Sequence, residues 1–188
     1  MLYATAIYTG MRKGELAALT WSQIDLDRRL IFVDRSHSGP TKSGTKRHIP
    51  IMSPLLPVLR QWRLRGFNPL VFPNGAGNQY DENGRIFTEV LHRVIEQGGF
   101  EPVVDSTGVT KRYLTFHGLR HTFASHFMMN GGDLFKLQKI GGWKSTEMVM
   151  RYSHLSPSAF EDVYELFGSE KDASIQLGKT LVTDIMKG

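Results

Sequence analysis

The most informative stretch of this 188-residue sequence is Phe116-His117-Gly118-Leu119-Arg120-His121-Thr122-Phe123-Ala124-Ser125-His126-Phe127. Wound as a helix, it puts Phe116, Leu119, Phe123 and Phe127 on one apolar stripe, with His117, Arg120, His121 and Ala124 on the adjoining face. Two imidazoles and a guanidinium are thereby gathered beside a buried seam. Imidazoles exchange protons near neutral pH, and a planar guanidinium holds an oxyanion through paired hydrogen bonds. Taken singly, each of these residues is more often part of a solvated basic face. The spacing of His117 and His121 also matches a zinc protease, but that motif requires a glutamate directly after the first histidine, and Gly118 stands there. With no cysteine in the chain, thiolate metal sites and disulfides are excluded as well. No metal is expected.

Further motifs accompany this stretch. Thr9-Gly10-Met11-Arg12-Lys13-Gly14-Glu15-Leu16 lies near the start, and Thr41-Lys42-Ser43-Gly44 precedes a strand-like run ending Ile49-Pro50-Ile51. Gly141-Gly142-Trp143 and Met150-Arg151-Tyr152-Ser153-His154 come later. In this order the set resembles the signature of tyrosine recombinases of the phage-integrase family, over residues 5 to 155.

The resemblance implies a site-specific DNA recombinase or integrase whose Tyr152, in the family's R-Y-x-H position, attacks a scissile phosphate. It would release a 5′-hydroxyl and hold the 3′-phosphate as a phosphotyrosyl ester. The ester conserves the bond energy, so neither ATP, metal nor any other cofactor is implied. Charge accumulates on the phosphate oxygens during attack and calls for fixed cationic donors, which Arg12 and Arg120 supply. A phenol of ordinary pKa is ionised in only about one molecule in a thousand at neutral pH. A base or a strongly positive site is therefore required, and the resemblance favours His117 as general acid/base. Lys42 matches the lysine suited to protonate the leaving 5′-oxygen, with Lys46 as its competitor on the same turn. Trp143 stands where relatives usually carry histidine; its indole donates a hydrogen bond but accepts no proton, which implies positioning and packing. Glu15, one turn from Arg12, either orients that guanidinium or forms an ordinary ion pair. Arg12, Lys42, Lys46 and Arg120 are the expected DNA contacts. Two rivals are a topoisomerase-like nicking and closing enzyme and a catalytically inactive DNA-binding regulator. The complete set of Arg12, Lys42, His117, Arg120, Trp143 and Tyr152 argues against the second.

These residues must be held by a scaffold, and the pattern reads as α+β, mainly helical, with a small antiparallel sheet in the first third. The apolar run Leu2 to Tyr8 is a first helix without a cap, as though the chain were a fragment. A short helix is expected at 13–19, a turn at 25–29, and strands at 30–33 and 47–52, with loop or turn between them. Ser53-Pro54 reads as a cap followed by a proline at the first helical position, opening a helix that places Leu55, Leu59 and Trp62 on one face. Residues 66–84 read as loop, 86–96 as helix, and the connection through Gly108 as polar coil. From Phe116 the pattern is helical nearly to the end. Ser156-Pro157 repeats the cap signal ahead of Phe160, Val163, Tyr164 and Phe167 at helical spacing.

A content of 40% apolar and 22% charged residues suits a soluble globular domain, and the formal charge of +5 makes a polyanionic partner plausible. No run of eighteen apolar residues and no secretory signal is present, which suggests a cytoplasmic protein without membrane contact. The expected organisation is a catalytic domain over 1–167 and a C-terminal tail over 168–188. By resemblance the partners are double-stranded DNA attachment sites and three further copies in a tetramer on DNA, the free protein being a monomer. The tail would be exchanged between protomers, and accessory DNA-bending proteins would assist. The family's N-terminal DNA-clamping, or core-binding, domain has no counterpart in this sequence.

Overall fold

The computed structural model describes residues 1–36, 39–40, 46–81, 85–100, 102–111 and 114–158. Helix α1 (Leu2–Thr9) ends at Gly10, whose left-handed backbone (φ 62°) turns the chain into α2 (Lys13–Ala17). Glycine is required there twice over, because a Cβ would sit 2.4 Å from Phe123 Cδ1. A 3₁₀ turn at Trp21–Gln23 leads to β1 (Ile24–Asp25), β2 (Leu30–Val33), the short ribbon of β3 (Arg35–Ser36) and β4 (Gly39–Pro40), and β5 (Arg47–Pro50). Strands β1, β2 and β5 form an antiparallel sheet in that order, with Ile31 opposite Ile49 and Val33 opposite Arg47.

Alternation decides which side chains this sheet buries. Ile31, Val33 and Ile49 point into the core, while Phe32 and His48 meet edge-on outside it, ring centroids 4.7 Å apart. Strand β5 stops at Pro50, which has no N–H to donate, and Ile51 bonds instead to the Arg29 carbonyl at 2.8 Å. The strand is thus two residues shorter than the pattern predicts.

Helix α3 (Leu55–Arg63) begins one residue later than expected, with Pro54 at the cap position. Its first turn is closed by the Met52 carbonyl, which accepts from the N–H groups of Leu55 and Leu56, rather than by a serine hydroxyl. Leu55 and Leu59 are buried as expected, and Trp62 packs at the core's edge, donating to the Val71 carbonyl at 2.7 Å. After α4 (Arg85–Gln97) the expected polar coil contains a hairpin, β6 (Val103–Val104) with β7 (Thr110–Lys111). The Asp105 carboxylate accepts from the N–H groups of Thr107 and Val109 and closes the turn, leaving strands too short to register as a periodic signal.

Helix α5 (Phe116–Met129) is capped by the Thr115 hydroxyl, which accepts from Gly118 N–H at 3.1 Å. Helix α6 (Leu134–Gly141) is capped by Asp133, and α7 (Glu147–Met150) and a 3₁₀ turn at Ser153–Leu155 follow. The apolar stripe of α5 spans two clusters of buried residues. Phe116 and Leu119 join the larger cluster with α1, α2, the sheet, α3 and α4; Phe123, Ala124 and Met128 join the smaller one with Leu137, Val149 and Tyr152. The site described next lies along that junction. The positions expected for Lys42, most of the helix opened by Ser156-Pro157, and the C-terminal tail fall outside the described residues.

Candidate active site

Glu15 is a carboxylate that is only 2% exposed, and it organises one side of the site. At the third position of α2 it accepts from the backbone N–H of Arg12 at 2.8 Å, as helix-start glutamates do, and from Arg12 Nη1 at 3.1 Å. Arg47 of β5 closes on it with both terminal nitrogens, at 2.9 and 2.8 Å, and donates its Nε to the Ile140 carbonyl at 2.8 Å. Burial alone would raise the Glu15 pKa, but the hydrogen bonds and charge of Arg47, followed by those of Arg12, outweigh it and hold the carboxyl below its usual range. Glu15 is thus a buried carboxylate shared by Arg12 and Arg47 rather than half of an exposed pair. Arg47 went unrecognised in the sequence, although it shares strand parity with the buried Ile49.

Arg12 reaches across the molecule to donate from Nη2 to the Gly142 carbonyl at 3.0 Å, tying α2 to the end of α6. Arg120 is 3% exposed and donates from Nη1 to the Gly10 carbonyl at 2.7 Å. Its Nη2 is buried with no hydrogen-bond partner, one of three such side-chain atoms among the described residues. The Trp143 ring lies over this guanidinium, 3.8 Å from its Cζ. Burial, then the charges of Arg12 and Arg47, pull the Arg120 pKa down to about 9, which still leaves it cationic at neutral pH.

Tyr152 is both a core residue and a site residue: it is 5% exposed, packs in the smaller cluster, and stands 6.3 Å from Trp143 between ring centroids. Burial raises its pKa against the opposing charges of Arg151 and Arg120. Its hydroxyl is hydrogen-bonded to Nδ1 of His121, not to His117. His117 is exposed and meets His121 edge-on, centroids 5.0 Å apart. Partial desolvation and the charges of His121, Arg120 and Arg12 lower its pKa.

The structure thus gathers Arg12, Glu15, His117, Arg120, Trp143 and Tyr152, and it adds Arg47 and His121. Lys46 is exposed at the rim of an adjoining recess of about 520 Å³, whose lining also includes Arg47, His48, Lys139, Trp143 and Lys144. Three guanidinium groups around one buried carboxylate leave excess positive charge, and such a site favours an oxyanion. Among the described residues, no cluster of three or more His, Asp or Glu is placed to hold a metal ion.

Residues 1–159 match the model of the phage integrase family. The integrase of Haemophilus phage HP1 is 35% identical over 161 residues, which are 86% of this chain and 38% of that protein. Tyrosine recombinase XerC of Xanthomonas axonopodis pv. citri is 29% identical over 160 residues, 84% of this chain and 47% of that one. The chain therefore spans less than half the length of these two relatives. A solved structure of the Tn1549 transposon integrase, in complex with a circular intermediate DNA, shares the fold with a TM-score of 0.66 at 18% identity, over 80% of this chain and 52% of that one.

Proposed function

Because the chain belongs to the phage integrase family, we propose that it is the catalytic part of a site-specific recombinase that cleaves and rejoins double-stranded DNA through a 3′-phosphotyrosyl bond to Tyr152. The observation that carries this reading is the convergence of Arg12, Arg120, Trp143 and Tyr152, from distant parts of the chain, on one cationic site. Arg12 and Arg120 hold the non-bridging oxygens, with Glu15 and Arg47 fixing the first and Trp143 covering the second. The buried Nη2 of Arg120, which has no hydrogen-bond partner among the described residues, is the donor left over for a phosphate oxygen. Lys42 protonates the 5′-oxygen as it leaves. Lys46 and the lysines of the neighbouring recess follow the DNA backbone. Since the ester conserves the phosphodiester bond energy, rejoining draws on neither ATP nor a metal.

Two duplexes would be joined by four protomers, with residues 1–167 as the catalytic unit and the tail over 168–188 passing between neighbours. The free protein is a monomer of the cytoplasm, working at the nucleoid with DNA-bending helpers. The test is covalent capture on nicked attachment-site DNA by the full-length enzyme. Wild type is expected to form an adduct that resists denaturant, and Tyr152→Phe to form none while still binding DNA. An adduct with Tyr152→Phe, or its loss in Tyr164→Phe, would overturn the assignment.

A further inference from the structure

An attacking phenol must surrender its proton, and the structure gives the Tyr152 hydroxyl one hydrogen-bond partner placed to receive it. That group is Nδ1 of His121, which none of the catalytic assignments above uses. The imidazole projects from α5, next to Arg120 and one turn beyond His117, so a capped helix packed in both core clusters fixes its position. Tyr152 is fixed as well, its ring buried and its backbone N–H bonded to the Val149 carbonyl at 2.9 Å. The groups facing His121 are His117 and Arg120 from its own helix and Arg151 and Tyr152 from the chain after α7.

We propose that His121 is the general base for Tyr152, taking the phenolic proton on Nδ1 during cleavage and returning it during rejoining. The inference rests on the strand-transfer reading and adds a catalytic residue to it. As the Tyr152 oxygen bonds to phosphorus, its proton passes to His121 Nδ1. The bond from phosphorus to the 5′-oxygen breaks, its electron pair stays on that oxygen, and a separate acid protonates it to a hydroxyl. In rejoining, the 5′-hydroxyl returns its proton to the conjugate base of that acid as its oxygen bonds to phosphorus, the bond from phosphorus to the Tyr152 oxygen breaks, and the imidazolium of His121 gives the proton back to the departing phenolate. Desolvation and the charges of Arg151 and Arg120 lower the His121 pKa, which keeps Nδ1 free to accept at neutral pH. His117, on the exposed side, is then free to serve the phosphate.

The discriminating variant is His121→Asn, whose amide oxygen can accept the Tyr152 hydrogen bond but cannot take a proton. The readout is single-turnover adduct formation by the full-length enzyme on a pool of nicked duplexes with randomised flanks. His121→Asn is expected to slow adduct formation by about 10²-fold or more. Placing trifluorotyrosine at position 152, a phenol acidic enough to need little help, should restore about tenfold or more in the Asn background while changing the native-His enzyme little. A native rate for His121→Asn, or a defect that the fluorinated phenol leaves untouched, would overturn the proposal. ¹⁵N spectra of the free wild-type protein test it without a variant. A neutral His121 protonated on Nε2 supports it, and one protonated on Nδ1 refutes it. If wild type forms no adduct with any duplex, the strand-transfer reading itself fails, and this inference falls with it.

Discussion

Two cations of the site depend on one carboxylate. Glu15 is buried with Arg47, so removing it leaves a desolvated guanidinium without its counter-charge, a loss of about 3–5 kcal/mol for Glu15→Ala. Urea unfolding should show that drop, and adduct formation should fall with it because Arg12 loses its orientation. The same residue gives a pH signature. Its folded pKa lies below the unfolded value of 4.5, so its stabilisation is complete above that pH and disappears as pH falls through the folded pKa. Wild type should therefore lose stability between the two values, and Glu15→Gln should lack that component. Equal acid sensitivity in the two proteins would show that Glu15 is not held in its charged form by Arg47 and Arg12.

At the level of elements, the site is assembled where the ends of helices meet. The α1–α2 turn offers the Gly10 carbonyl to Arg120, and the end of α6 offers the Ile140 and Gly142 carbonyls to Arg47 and Arg12. Backbone oxygens thus aim three guanidinium groups. The last residue of α6 also sets the Trp143 ring, since a Cβ at Gly141 would stand 1.8 Å from its Cζ3. Gly141→Ala should therefore push the indole off Arg120. The expected results are a loss of about 0.5–2 kcal/mol from the broken cation–π contact and a change in tryptophan emission that is absent when Trp143 is already phenylalanine. An unaltered spectrum would mean that the ring has another seat.

For the whole molecule, the formal charge of +5 and the lysine-lined recess beside the active site predict DNA binding dominated by phosphate contacts. Such contacts release counterions. Affinity for a duplex measured by anisotropy should then fall steeply and linearly in a plot of log K against log salt. The chain alone, less than half as long as the two relatives described above, should bind weakly at physiological salt. Tight binding that ignores salt would contradict a phosphate-led interface.

The helical stripe of α5, the alternation of β2 and the ordered motifs around Arg12, Arg120, Trp143 and Tyr152 are local patterns, readable because side-chain period and residue type are properties of short segments. They were enough to set the fold class and the family, and to bring Arg12, Arg120, Trp143 and Tyr152 forward as candidates. Register and long-range pairing are different in kind, because they depend on which elements pack together. That Arg47 pairs with Glu15 follows from placing β5 against α2 and α6, and its inward parity was the only local sign. The choice of His121 over His117 as the Tyr152 partner turns on how the chain after α7 returns to α5, a geometry set by burying Val149 and Tyr152 in the smaller core cluster. Two adjacent turns of one helix offered an imidazole each, and only tertiary packing could decide which of them meets the phenol.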